Sequence, residues 1–349
     1  MTRSVSSLGS AIAAAAILGS PDLPSGMGEP YRFLRTVGGF SAGDFAGLER
    51  GEAVARILDT DKREVAVVGA VRIVAPRERL LDRYRDVSSL RNSDIVLQVG
   101  TFSAVPSAED LRGLTFEDYD LQTLRDCEPG DCGVRLSAEE MQRFKQGVNW
   151  RAEDWRRQAG TVWRSVLAQY AVDYLANGSG ALAVYRNKQV PLSVAEEFGA
   201  LFEESKYFSG LAPDFFRYLQ EYPRAHLDGS QDILYWSKDS FGLRPVISLT
   251  HLTLYAPVAE SALARPPAFV ATKQIYATHY FDAALGLTIA LDDGRSGFYM
   301  VCVNRARTRS LMSFTRGLVR AIVQRRSRDG MESILRSTKA GLERRPSAL

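Results

Sequence analysis

Strand-like runs occur in two blocks, residues 53–102 and 232–303, with more than 100 residues of helical character between them and one long helical stretch after them. A two-stranded hairpin alone is marginally stable, and sheets need three or more strands with a covered face. The early block is too small to enclose a core by itself, so it is expected to join the later strands in a single bent layer that grips the terminal helix.

The early block reads as follows. Asp44 to Glu49 is expected to be a short helix with Asp44 as N-cap and Gly51 just past its end. Ala53 to Leu58 reads as a strand, and Asp59-Thr60-Asp61-Lys62 as a turn. Arg63 to Val74 is valine-rich, with Gly69 marking a bend or bulge. Ala75-Pro76 breaks the run. Arg77 to Val87 has helical spacing with Leu80, Leu81, Tyr84 and Val87 on one side, and Ile95 to Phe102 is a further strand.

From about Ala108 to Tyr222 the period is helical. Ser137…Glu140 and Ser193…Glu196 fit capping boxes. Ala152 to Ala176 carries Trp155, Trp163, Val166, Leu167, Tyr170 and Tyr174 near helical spacing, a stripe read as packing, and stops at Asn177-Gly178. Asn177-Gly178-Ser179 also fits the glycosylation acceptor pattern, although helix termination already explains it. Asp214 to Gln220 is a short amphipathic helix. Strands then return at Ile233–Lys238, Pro245–Tyr255, Phe269–Ala290 and Gly297–Val303, joined by turns that suit antiparallel hairpins. Arg307 to Glu343 is expected to be one long helix, with Leu311, Phe314, Leu318 and Ile322 on one face and Met331, Leu335 and Leu342 continuing it.

The chain of 349 residues is one large domain or two. With 28 Gly, 14 Pro and 3 Cys, it is neither collagen-like nor a disulfide-dense mini-protein. The run Ala11–Leu18 after Arg3 follows the grammar of a secretory signal peptide, with a disordered alanine-rich leader as the alternative; residues 1–30 are set apart on that ground. A periplasmic or secreted location is expected, with the cytoplasm as the alternative. Cys127 and Cys132 flank a Pro-Gly turn that can bring them to disulfide distance. Half a zinc site and two reduced thiols are the alternatives, and the disulfide is favoured if the chain is exported. Cys302 reads as a small buried core residue.

Charge is uneven. Residues 305–345 hold twelve Lys/Arg against three Asp/Glu, a net +9, so the rest of this +3 chain carries −6. A basic terminal helix suggests attraction to an anionic membrane surface or to nucleic acid, and the plain alternative is a solvated helix face.

The order of elements resembles the helix-grip fold of the START-like superfamily (polyketide cyclase, lipid-transfer and Bet v 1-like proteins). The phrase Val71-Arg72-Ile73-Val74-Ala75-Pro76-Arg77-Glu78-Arg79-Leu80-Leu81-Asp82 is similar to the strand, Ala-Pro, helix start common there, and Ser310 to Ala321 fits the passage from last strand to last helix. The likeness covers about 47–102 and 231–343, and the inserted helices depart from the compact form. It implies an α+β fold in which an antiparallel curved sheet grips a long C-terminal helix. The domain occupies 31–106 and 231–345, with a helical insert over 107–230.

Strand alternation puts Val246, Ser248, Thr250, Leu252 and Leu254 on one face, with Ile247, Leu249, His251, Thr253 and Tyr255 on the other. Gln274, Tyr276, Thr278 and Tyr280 share a face opposite Ile275, Ala277, His279 and Phe281. Tyr235, Trp236, His251, Tyr276, His279 and Tyr280 are the expected wall of a ligand cavity, since small-molecule sites combine apolar walls with a few polar groups. The expected function is binding or transfer of a hydrophobic small molecule or lipid, with no cofactor. The alternative is a cyclase- or hydrolase-like enzyme using a cavity imidazole as general base. His251, His279 and Asp282 form a conceivable metal triad, but their spacing is not diagnostic, and no metal is assigned. Walker A and His-Glu-x-x-His motifs are absent. Nucleic acid is a weaker partner, because the basic stretch lacks interleaved aromatics.

Overall fold

The β-branched runs pair into one continuous layer. A computed structural model describes residues 28–92, 95–258, 266–309 and 316–344. In chain order the elements begin with α1 (Gly28–Thr36), α2 (Ala42–Glu49), β1 (Val54–Leu58), β2 (Glu64–Ile73), α3 (Glu78–Arg85) and β3 (Val96–Thr101). The insert holds α4 (Asp118–Arg125), α5 (Ala138–Gly147), α6 (Trp155–Asn177), the two-residue strands β4 (Val184–Tyr185) and β5 (Leu192–Ser193), α7 (Val194–Glu203), α8 (Tyr207–Leu211) and α9 (Pro213–Glu221). The second block is β6 (Ser230–Asp239), β7 (Val246–Tyr255), β8 (Ala268–Ala277), β9 (Ala283–Asp292) and β10 (Phe298–Arg307), followed by α10 (Arg316–Glu343).

Eight strands form an antiparallel curved sheet in the order β1-β2-β10-β9-β8-β7-β6-β3. The first and second blocks therefore interlock: β2 pairs along its whole length with β10, and β3 closes the far edge on β6. The fold is the α+β arrangement expected, with the terminal helix packed on the sheet and a helical insert.

The sheet is covered on both sides, which is why its strands read as near-continuous apolar runs. On the insert face, Val68, Leu249, Leu285 and Val301 share one core with Trp163, Tyr174, Phe198 and Phe215 of the insert. On the terminal-helix face, Val71, Met300 and Cys302 pack with Leu80 and Leu81 of α3 and Met331, Leu335 and Leu342 of α10.

Several boundaries differ from expectation for identifiable reasons. Ser41, not Asp44, caps α2, because Asp44 sits at the third helical position and accepts from the Ser41 backbone N–H. Gly69 lies in unbroken register and marks no bulge. An added Cβ there would lie 2.7 Å from Met331 Cγ and 2.8 Å from Leu335 Cδ1, so the glycine admits α10 to the strand. The run 269–290 divides into β8 and β9. β10 continues to Arg307, where a helix start was expected, because its last arginines pair with buried acids. Ile322 is 44% exposed and does not belong to the packed face of α10. Residues 1–27, the side chains of 28–30, Leu311, Phe314 and the side chain of Leu318 lie outside the described residues, and with them the leader and half of the expected helix stripe.

Candidate functional site

The two faces of the sheet differ in how completely they are filled. On the terminal-helix face, α10 lies over β1 and β2, tied by Arg320 to the Thr60 and Asp61 carbonyls and by Lys339 to the Arg72 carbonyl. α3 reaches the sheet at Thr288, whose hydroxyl lies 3.4 Å from the Tyr84 hydroxyl. Beside these helices, two adjacent rows cross five strands. Strand register aligns Ile233, Leu252, Thr272, Gly286 and Asn304 in one row, and Tyr235, Thr250, Gln274, Ala284 and Ala306 in the other. Leu252 and Thr250 are buried, Asn304 is exposed, and the other seven are partly exposed. Four inter-strand steps make this floor about 19 Å long.

The floor is uncharged, and its far half is built of small side chains. An added Cβ at Gly286 would lie 2.4 Å from Thr272 Oγ1 and 2.9 Å from Asn304 Oδ1, so those two side chains lean together over the glycine. Gln274 Oε1 is buried without a hydrogen-bond partner among the described residues. The Tyr235 hydroxyl lies beside Thr250, and burial pushes it up to about 12. Beyond it on the same face, Ser237 Oγ donates to Asp239 Oδ2 at 2.7 Å, and the Ser248 hydroxyl lies 3.1 Å from that of Ser237. Burial pushes the Asp239 carboxyl up to about 6, against the two serine hydroxyls that favour its charge.

Of the six residues expected to line a cavity, Tyr235 alone stands on this floor. Trp236 points into the insert, donating to the Asp110 carbonyl at 2.9 Å, and also borders a groove of about 670 Å³ along the β3 edge with Arg91, Gln98 and Arg112. Tyr276 is buried against Tyr170 and Tyr185. The expected alternation in β8 fails at a register shift between Leu249 and Thr250 of β7, which directs Ile275 and Tyr276 both toward the insert. His279 and Tyr280 fall in the turn between β8 and β9. His279 Nε2 is 3.1 Å from Asp120 Oδ1, and the Tyr280 hydroxyl accepts from the Arg244 backbone N–H at 3.3 Å.

His251 belongs to a buried cluster on the insert face. Its Nε2 is 2.8 Å from Asp232 Oδ1 and its Nδ1 is 2.8 Å from the Tyr174 hydroxyl, while Tyr218 donates to the other carboxylate oxygen. Burial lowers the imidazole below its ordinary value despite Asp232. Asp232 is itself held below the usual range, because the bonds from His251, Tyr218 and Thr253 outweigh its burial. Burial also pushes Lys273, which donates to the Leu219 carbonyl at 3.0 Å, down to about 7. This Asp-His-Tyr chain has the parts of an acid–base relay; the ring of Tyr222 lies 4.3 Å from the buried imidazole, and Asp232 reaches solvent at the outer end. The third histidine, His226, is exposed in the loop before β6. None of the three imidazoles lies on the floor, so a cavity histidine acting there as general base does not match this geometry.

The conceivable metal triad is also dispersed: Asp282 is paired with Arg135 and contacts Arg63, away from both histidine–acid pairs. Among the described residues, no group of three His, Cys, Asp or Glu is arranged to hold a metal ion. Arg305 and Arg307, counted with the basic tail, are buried strand residues; Glu64 pairs with Arg305, and Glu197 and Asp61 with Arg307. They offer nothing to an anionic partner. Cys127 and Cys132 are disulfide-bonded with Cα atoms 4.5 Å apart, and Cys302 is buried and free. Among the described residues, no helix is long and apolar enough to cross a membrane.

No family model matches the chain, and no curated protein or solved structure is significantly similar to it.

Proposed function

We propose that this chain binds an amphiphilic small molecule or lipid on the floor between α10, α3 and strands β6–β10, as a carrier rather than a catalyst. The observation that carries the reading is the pair of five-residue rows left partly exposed in the middle of an otherwise covered sheet. Apolar area surrounding a few oriented polar atoms is the usual composition of a small-molecule site. The arrangement of a curved sheet with a terminal helix, which prompted the likeness to helix-grip proteins, supports the same location for the ligand.

The test is binding of the neutral fluorophore N-phenyl-1-naphthylamine to the purified full chain, with the Ala306→Trp variant alongside. Ala306 is partly exposed on the floor, so an indole there occupies the site while the insert face stays intact. Saturable enhancement in the wild type, lost in a variant of unchanged circular dichroism, is the expected result. Equal binding by both proteins, or no binding by the wild type, overturns the proposal. Solvent extracts of detergent-free protein should also contain a bound amphiphile detectable by mass spectrometry.

A further inference from the structure

The floor's polar groups specify more than its existence, and the following inference rests on its being a ligand site. At the end bounded by Tyr235, a buried carboxylate, Asp239, accepts among the described residues from two hydroxyls, Ser237 at 2.7 Å and Ser248 at 3.5 Å. Among the described residues no cation pairs with it. Its nearest cations in sequence are engaged elsewhere, Lys238 with Glu117 and Thr115 on the insert side and Arg244 over the Tyr119 ring. A buried carboxylate without a counter-charge is costly, and a cation brought to it recovers much of that cost. The second unusual atom, Gln274 Oε1, is also an acceptor, buried and without a partner. It stands in the row that meets β6 at Tyr235, four residues before Asp239. None of the ten floor residues is Lys or Arg, so the floor itself offers an anionic headgroup no positive charge. Tyr235 adds an aromatic face suited to a cation.

We propose that the ligand of this face carries a cationic nitrogen, an alkyl amine whose ammonium pairs with Asp239 and whose chain lies across the floor toward Gly286. Asp239, with the Ser237 and Ser248 hydroxyls beside it, receives its N–H donors. The small side chains of β9 and β10 leave room for its apolar part.

Three probes with one chain length separate the possibilities: decylamine, 1-decanol and decanoate, titrated into the full chain at pH 7.5 by calorimetry. Decylamine is expected to bind about tenfold tighter than decanol, and decanoate weakest. In Asp239→Asn the amine preference should vanish while decanol binding persists. That variant removes a buried charge, so it should melt no lower than the wild type at this pH, and persistent decanol binding independently reports an intact floor. Decanol binding with no amine preference, or a preference that survives Asp239→Asn, overturns the amine assignment alone. Binding of none of the three overturns both the assignment and the ligand-site reading beneath it.

Discussion

Replacing Gly69 by alanine tests how α10 is seated. The new Cβ would lie 2.7 Å from Met331 Cγ and 2.8 Å from Leu335 Cδ1, well inside normal contact. Overpacking of this kind costs about 1–3 kcal/mol. Against it stands the entropic gain of removing a mid-strand glycine, about 0.5–1 kcal/mol. Lifting the whole helix would strip contacts from Met331, Leu335 and Leu342 together, all of them buried. Rotation of the unbranched Met331 is the cheaper relief. The net expectation is a loss of about 0.5–2 kcal/mol, read as a lower urea midpoint at unchanged slope. Met331→Ala alone should cost about 2–5 kcal/mol. In the double variant the alanine methyl occupies part of the vacated space, so the two losses should fall short of additive by about 1 kcal/mol. A Gly69→Ala protein as stable as the wild type, with losses that simply add, would refute this account of the helix–strand contact.

Arg135→Leu leaves the buried carboxylate of Asp282 with Arg63 at 3.5 Å as its remaining ion-pair partner and the Arg309 backbone N–H as a donor, so chemical denaturation should show a loss of about 3 kcal/mol; less than 1 kcal/mol would mean that the pair is not closed to water. Asp239 has a folded value of about 6 against an ordinary value near 3.9, so the folded state holds the extra proton between those limits. Its contribution therefore falls as pH rises from about 4 to 6, and Asp239→Asn should gain about 2–3 kcal/mol on the wild type across that window. The sign is reversed for Lys273, whose folded value is about 7. There the unfolded chain holds the extra proton up to about pH 10, so stability rises with pH through that window, and Lys273→Met should help most at or below pH 7. Reducing Cys127–Cys132, five residues apart, should cost about 2 kcal/mol by loop entropy; unfolding on reduction would assign the turn a larger role.

Much of the architecture was legible because strand and helix periods differ sharply here. The valine-rich run of β2, the alternation of β7 and the aromatic stripe of α6 all carried their element types. What sequence could not supply was which face of a doubly covered sheet is filled. Both faces of β7 are buried, so splitting its residues into two sets was possible but assigning the sets was not. Aromatic residues attracted the site prediction, yet Trp236 and Tyr276 serve the insert's core. The floor was signalled instead by small or uncharged polar residues at period two, Thr272 with Gln274, Ala284 with Gly286 and Asn304 with Ala306. The β8 register shift displaced Tyr276 from its expected face, and nothing local marks it. Arg305 and Arg307 read as tail charge because their partners Glu64 and Glu197 lie more than 100 residues upstream.

The most direct measurement is methyl NMR of the full chain titrated with decylamine. The account predicts shifts at Ile233, Thr272, Ala284 and Ala306, with Leu249, Ile275 and Leu285 on the opposite face unmoved. Shifts concentrated on those three, or floor methyls that stay still at saturation, would contradict it.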